Sequence, residues 1–381
     1  MTQNFLQWVE IDQKAFSHNM RQFRRLAGKK SLLLAMVKAN AYGHGMIPIA
    51  RLAIETGADW LGVHSLEEGI CLRRESLTCP ILVSGYVPLN RLEEAVEGGL
   101  RLTVYNRESV RKLKSICRRL GKSVRLHLKV ETGTYRQGIP LRNVFSFADE
   151  IRKGKGLILE GISSHFANIE DTTDHSYARY QKKNFQEVID ELEAGGFDIP
   201  IKHMSCTAAA ILFPETYFNM IRTGIGIYGL WPSKETYLSC LLQKRRPLSL
   251  KPVLTWKARI AQIKKVPSGS LIGYGCTYKT TRKTTLAVVP VGYYDGYSRR
   301  LSNQSYVLVK GIRAPLRGRV AMDFIVIDVT DIPGVKQEDE VVLIGRNGEE
   351  AVTADFLASL EGTINYEIVT RINPGIPRII V

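Results

Sequence analysis

Apolar residues in the first two-thirds of the chain fall into short runs, separated by longer stretches where they recur every three or four positions. The runs at residues 32–38, 60–65, 81–86, 102–105, 124–130, 159–166, 201–205 and 220–222 predict eight strands. Stretches between them, residues 107–120 and 174–194 for example, predict helices. Gly57, Gly99, Gly121 and Gly195 stand where helix C-caps belong. Eight strand-plus-helix units predict a (β/α)8 TIM barrel over residues 11–245 rather than an open doubly wound sheet. On such a barrel, residues at or just beyond the strand C-termini face the functional site.

Around Lys244 to Pro247 the pattern changes. Alternating, β-branched runs take over at residues 254–266, 284–291, 306–309, 324–329 and 341–344, with turns at 267–269 and Asn347-Gly348 and one helix at 353–360. The predicted fold class is therefore α/β, a TIM barrel followed by a mainly β C-terminal domain made of residues 246–381 together with residues 1–10.

Length and composition narrow the picture further. A chain of 381 residues can bury two cores, and 44% hydrophobic with 24% charged residues is the composition of a soluble globular protein. The first residues lack a basic stretch followed by an apolar core, and no apolar run approaches the roughly 20 residues that span a bilayer. A cytoplasmic protein with no membrane partner is expected. The cysteines at 71, 79, 117, 206, 240 and 276 show no C-x-x-C pair or zinc-like spacing, so they read as reduced, and no metal site is expected. The net charge of +16 would suit nucleic acid. Its basic clusters are scattered, however, without interleaved aromatics or a nucleic-acid module, and read as a solvated surface.

The chemistry begins at the first strand. A buried run, residues 32–37, leads into Lys38 and a turn holding Tyr42, Gly43, His44 and Gly45. A lysine there can snorkel or pair with an acid. Partly desolvated, it can instead have its pKa lowered and form a Schiff base. The stretch AMVKANAYGHG resembles the cofactor-lysine motif of the alanine racemase family, enzymes that use pyridoxal 5'-phosphate. The resemblance implies that Lys38 carries the cofactor and Tyr42 helps hold its phosphate, with His44 structural.

Further motifs follow the later strands. After the fifth, Lys129-Val-Glu131-Thr-Gly133-Thr134-Tyr135-Arg136 is similar to the family's K-V-D-T-G-M-x-R, with Glu131 and Thr134 as departures. There Arg136 would bind the substrate carboxylate through its planar fork. Lys129 is open to two readings, a carbamate that orients the arginine or an ion pair with Glu131. After the sixth strand, Ser164-His165-Phe166-Ala167 resembles S/T-H-F-A and implies that His165 stacks on the cofactor ring. After the seventh, Cys206 and Thr207 replace the family's asparagine and serine, and Thr207 keeps a hydroxyl for the phosphate. After the eighth, Arg222-Thr223-Gly224-Ile225 implies Arg222 at the pyridine nitrogen and Gly224 and Ile225 at the phosphate. A cation at that nitrogen opposes its protonation and restrains side reactions such as transamination.

The last third completes the resemblance. Gly273-Tyr274-Gly275-Cys276-Thr277-Tyr278 resembles x-Y-G-x-T-Y, whose first tyrosine is a catalytic base. Gly318 to Asp323 resembles G-R-V-C-M-D with Ala321 for cysteine, placing Met322 at the substrate carboxylate. Ile364-Asn365-Tyr366-Glu367 matches I-N-Y-E, whose tyrosine reaches the phosphate and narrows the substrate pocket. Gly292 to Gly296 fits G-Y-x-D-G near the substrate entrance.

Inverting a carbon centre takes an acid–base group on each face, and the resemblance implies Lys38 and Tyr274 in those roles. A free tyrosine, with a pKa of about 10, is a poor base at neutral pH and needs positive charge nearby, which His165 and Arg222 could supply. The family implies L- and D-alanine as substrates, supply of D-alanine for peptidoglycan, and head-to-tail homodimers in which Tyr274 and Met322 meet the other subunit's barrel. A broader amino-acid racemase, acting on serine or basic residues, and a non-catalytic carrier of the cofactor are the alternatives. Single-domain carriers lack the β domain, and related decarboxylases carry a C-E-S-x-D-type motif that this chain does not have.

Overall fold

The computed structural model describes residues 5–381. The chain divides into two compact units, Phe16–Ala41 with Met46–Lys251, and Met1–Ala15 with Tyr42–Gly45 and Pro252–Val381. Of the segment 1–10 assigned above to the β domain, residues 1–4 lie outside the described residues.

The larger unit is a barrel. Its eight parallel strands are Leu32–Met36, Trp60–Val63, Ile81–Val83, Arg101–Val104, Val124–Glu131, Leu157–Ser163, Ile201–His203 and Met220–Thr223. Each pairs with the next in chain order through the seventh, and the eighth returns to the first with Met220 opposite Leu32. Between the seventh and eighth the ladder gives way to separate bonds. Asn219 N–H donates to Lys202 O and Arg222 N–H to Ser205 O, both at 3.3 Å, while Lys202 N–H donates to Asn219 Oδ1 at 2.7 Å. The barrel is nearly closed.

All eight predicted strands are present. Several stop before the predicted end, because the residues there leave the ladder to form the loops above the barrel. The second and third strands are buried at every position, as near-continuous apolar runs in a covered parallel sheet should be. Leu34, Trp60, Leu82, Ile201 and Met220 pack as one hydrophobic cluster contributed by five strands.

Helix Arg107–Leu120 has the predicted bounds. Its Val110, Leu113, Ile116 and Cys117 are buried, Asn106 accepts from Ser109 N–H at the start, and Gly121 closes it in the left-handed conformation at φ 63°. Gly195 ends helix Ser176–Ala194 at φ −80°, and its neighbour Gly196 is the left-handed residue at φ 75°. No described helix is long and apolar enough to cross a membrane.

The smaller unit is built mainly of sheets. Gln7–Ile11 pairs antiparallel with Leu254–Arg259, which continues to Glu340–Asn347, Tyr306–Val309 and Ile312–Pro315, while Arg378–Ile380 joins the other side of Gln7–Ile11. The run at 254–266 is two strands rather than one. Ile260 N–H turns to Asp339 O and Ala261 N–H to Val288 O, so the chain leaves one sheet there and Gln262–Val266 enters a three-stranded sheet with Thr284–Val289 and Ile325–Asp328. The sequence marks the crossing by adjacent Ile260 and Ala261, where the apolar positions pass from Leu254, Trp256 and Ala258 to Ala261 and Ile263. Helix Ala354–Glu361 starts one residue later than predicted because Thr353 is its cap, its side chain accepting from Phe356 N–H. A second helix, Asn365–Thr370, carries Tyr366. At under two turns it is too short to show a period.

Candidate active site

The turn after the first strand is the most strained backbone near the site. Ala39, Asn40, Ala41 and Tyr42 all sit at φ 53°, a left-handed turn of four non-glycine residues. Each such residue costs roughly 1–2 kcal/mol, and strain of this kind persists only where neighbours impose it. The restraints are visible. Ala39 N–H donates to Glu68 Oε1 at 2.6 Å, Ala41 N–H to Val37 O at 2.9 Å, and Met46 N–H to Asn40 Oδ1 at 2.9 Å. Glu68 also takes the N–H of His64 at 2.7 Å and of Ser65 at 3.2 Å, the latter as half of the capping box of helix Leu66–Arg74. The motifs above do not include it, although the Ser65-x-x-Glu68 spacing marks it.

Burial, aided by the guanidinium groups of Arg136 and Arg222, holds the Lys38 amine below its ordinary 10.5, and Glu68 opposes them. Burial together with Arg222 and Arg136 pushes Lys129 down further. His165 is kept well below 6.5 by burial and by Lys129, Arg222, Arg136 and Lys38. These groups act on one another, and the charges of Arg136 and Arg222 push the two amines and the imidazole towards their neutral forms.

Arg222 is the centre of this cluster. Its guanidinium donates to the carbonyls of His203, Ser164 and Met204, each at 2.9 Å, and to His203 Nδ1 at 2.6 Å. His165 Nδ1 lies 3.4 Å away. Among the described residues no carboxylate forms an ion pair with Arg222, and none with Lys38 or Lys129. Burial lowers Arg222 to about 10, so it stays charged at neutral pH.

The loop after the fifth strand is organised by Glu131. Its carboxylate accepts from the N–H groups of Gly133 and Thr134 at 2.6 Å and of Arg136 at 3.3 Å. It therefore caps its own loop rather than pairing with Lys129. Arg136 itself is exposed. Thr134, the other departure, donates its hydroxyl to His165 O at 2.7 Å and so ties two site loops together. Buried Gln181 does the same from helix Ser176–Ala194, donating to His165 O at 3.1 Å and accepting from Ala167 N–H at 2.9 Å. No local motif announces Gln181.

Thr207 is buried, and its hydroxyl accepts Gly224 N–H at 3.0 Å. Gly224 caps the short turn Ile225–Tyr228, whose first N–H groups have no partner within the turn. A side chain at Gly226 would meet the Phe23 ring and the Thr207 methyl within 2.7 Å. Cys206 precedes helix Thr207–Leu212 without capping it, and burial raises its thiol to about 11.

In the smaller unit, Tyr42 is buried and its ring lies 6.1 Å from that of Tyr366. His44 Nδ1 is 2.9 Å from Tyr42 O, and Arg378 donates to Gly43 O at 3.0 Å. Tyr274 sits at the tip of the hairpin formed by Leu271–Ile272 and Tyr278–Lys279, 75% exposed. Gly273 and Gly275 flank it at φ 71° and 73°, and the Arg319 guanidinium fills the space a side chain on Gly275 would need. Met322 is 53% exposed, and its carbonyl takes Tyr294 N–H at 3.0 Å. The hairpin meets Arg319, and the loop of Met322 meets that of Tyr294, within this unit, although Gly275 and Arg319 are 44 residues apart and Tyr294 and Met322 are 28 apart along the chain.

Residues 11–232 match the family model described as alanine racemase, N-terminal domain, and residues 253–380 match alanine racemase, C-terminal domain. An alanine racemase of Methanococcus maripaludis is 40% identical over 373 residues, 98% of each chain. One of Symbiobacterium thermophilum is 42% identical over 371 residues, 97% of this chain and 96% of its own. Among solved structures, the alanine racemase of Clostridium difficile 630 has a TM-score of 0.92 at 34% identity, covering 99% of this chain and 96% of that one. The chain belongs to the alanine racemase family.

Proposed function

We propose that the protein is an alanine racemase that binds pyridoxal 5'-phosphate and interconverts L- and D-alanine with Lys38 and Tyr274 as its two bases. The observation that carries this is the cluster of Lys38, Lys129, Arg136 and Arg222 around the barrel's strand ends, with no ion-paired carboxylate on Lys38, Lys129 or Arg222 among the described residues. Such a site selects anions. A phosphate, a phenolic oxygen and an amino-acid carboxylate supply the missing charge, so the donor set fits this cofactor and substrate.

Lys38 would hold the cofactor, with Tyr42, Thr207, Gly224, Ile225 and Tyr366 at its phosphate, His165 against the ring and Arg222 at the ring nitrogen. When bound, the cofactor supplies an electron-withdrawing ring that acidifies the Cα–H of an attached amino acid. Everything else falls to the chain. Arg222 is a donor only, and a charged one, so it keeps the ring nitrogen unprotonated. Lys38, with its amine held below 10.5, moves the Cα proton on one face as the base for the D enantiomer. The phenol of Tyr274 does so on the other face for the L enantiomer. Arg136 and the main chain of Met322 hold the substrate carboxylate. Burial pushes Lys129 towards the neutral amine, the form that adds carbon dioxide, and a carbamate there would give Arg136 an anionic partner.

The working form is a head-to-tail homodimer in which Tyr274 and Met322 serve the other copy's barrel. Exposed Tyr274, Tyr294, Met322 and Phe324 in the smaller unit support this, since exposed apolar groups of this number mark a surface that another protein covers. The protein acts in the cytoplasm and supplies D-alanine for peptidoglycan.

The test is chiral chromatography of purified protein with the cofactor and a panel of L-amino acids. Alanine should racemise fastest. Faster conversion of serine or a basic amino acid would replace the substrate, and no conversion of any would leave a carrier. In the same assay Tyr274→Phe should keep the cofactor yet lose conversion in at least one direction. Lys38→Ala should lose the visible absorbance of a lysine-linked cofactor.

A further inference from the structure

The barrel interior contains a buried polar chain that the chemistry above leaves unused. An N–H of Arg222 donates to His203 Nδ1 at 2.6 Å. A guanidinium has no lone pair to offer, so that ring nitrogen must be bare and the proton of His203 must lie on Nε2. His203 Nε2 is 2.8 Å from His127 Nδ1, which must therefore accept. The proton of His127 is then on Nε2, 3.3 Å from the carboxylate of Glu160. Every proton in the series points from Arg222 towards Glu160. Both imidazoles are buried, and burial favours their neutral forms, aided by Arg222 at His203 and opposed by Glu160 at His127.

The backbone is shaped for this contact. The fifth and sixth strands pair Leu126 with Leu159 and then His127 with Gly161, so Glu160 is the extra residue of a bulge. A side chain on Gly161 would lie 2.4 Å from His127 Nδ1, so only glycine leaves room for the ring. Arg125 at 3.1 Å and Arg101 at 3.5 Å hold the Glu160 carboxylate at the other end.

We propose that His127 and Glu160 are positioning residues for Arg222. Arg222, a donor only, and Glu160, an acceptor only, hold both tautomers from the two ends of the chain, and His203 presents Arg222 with a lone pair in a fixed direction. The guanidinium is thereby held rigid without a carboxylate beside it that would cancel its charge. The catalytic consequence rests on the reading of Arg222 as the group at the cofactor's ring nitrogen.

The experiment is nitrogen NMR of the full-length protein with pyridoxal phosphate bound and its histidines labelled, assigned with His127→Gln and His203→Gln. Both rings should show a bare Nδ1 and a protonated Nε2. In Glu160→Leu the His127 Nε2–H loses its acceptor, so that nitrogen's resonance should shift, and kcat for alanine should fall roughly ten- to a hundred-fold, the usual effect of removing the outer partner of a site group, with KM little changed. Glu160→Gln retains an acceptor oxygen and should recover most of the loss. A protonated Nδ1 on His203 in the unaltered protein would overturn the proposal, and this readout does not depend on any variant folding. An unmoved His127 Nε2 resonance or an unchanged kcat in Glu160→Leu would overturn it equally. If the unaltered protein racemises nothing, the reading of the site fails, while the tautomers are decided by the spectra alone.

Discussion

Glu68 Oε1 accepts the N–H of Ala39 at 2.6 Å, so a carboxylate from the start of helix Leu66–Arg74 grips the backbone one residue past Lys38. The same group raises the proton affinity of Lys38, against the burial and the arginines that lower it. One side chain thus steadies a strained turn and adjusts the amine beside it.

Separating those two roles gives a prediction. Glu68→Gln keeps an acceptor for Ala39 but removes the charge, so Lys38 should lose its proton at lower pH. The limb of the kcat/KM profile that reports a neutral amine should move to lower pH, with thermal stability nearly unchanged. Glu68→Ala should in addition destabilise the fold by about 1 kcal/mol, the net worth of a hydrogen bond whose exposed N–H water can take over. Denaturant titration checks the second effect and a pH series the first.

Buried histidines should make the protein sensitive to mild acid. In the unfolded chain each takes up a proton near 6.5, whereas in the fold burial holds His127, His165 and His203 below that value. Between the two values the unfolded chain binds more protons, so stability falls as pH falls. Each histidine contributes up to about 1.4 kcal/mol per pH unit within its window. Urea midpoints between pH 6.5 and 5 should drop, and His203→Asn should flatten the slope.

Gly43 should tolerate no side chain. It sits at φ 84°, and a Cβ there would lie 1.9 Å from Val369 O, a backbone atom with no rotamer to escape into. Gly43→Ala should lower stability by at least about 2 kcal/mol, read as a lower melting temperature. Gly28→Ala is the control, since it has a positive φ of 61° but nothing within 4 Å.

The strand ladder was legible in the amino-acid order because burial on both faces demands unbroken apolar runs, and eight such runs at barrel spacing leave few other arrangements. The chemistry-bearing motifs were legible for a related reason: Lys38 and His165 closely follow strands and Arg222 lies in the last strand, Met220–Thr223, so local spacing carries them. The sheet change at Ile260-Ala261 was not read, although the apolar positions slip there by one residue, from Trp256, Ala258 and Ile260 to Ala261 and Ile263. Nor was the partner of Glu131, whose carboxylate folds back on its own loop instead of reaching Lys129. Tertiary structure alone decided the interior of the barrel. His127 and His203 are 76 residues apart, and which proton each ring carries is settled by neighbours delivered from four different strands. A hydrogen bond needs its two atoms within about 3 Å, and the order of residues along a chain sets no such distance until closure brings the strands together.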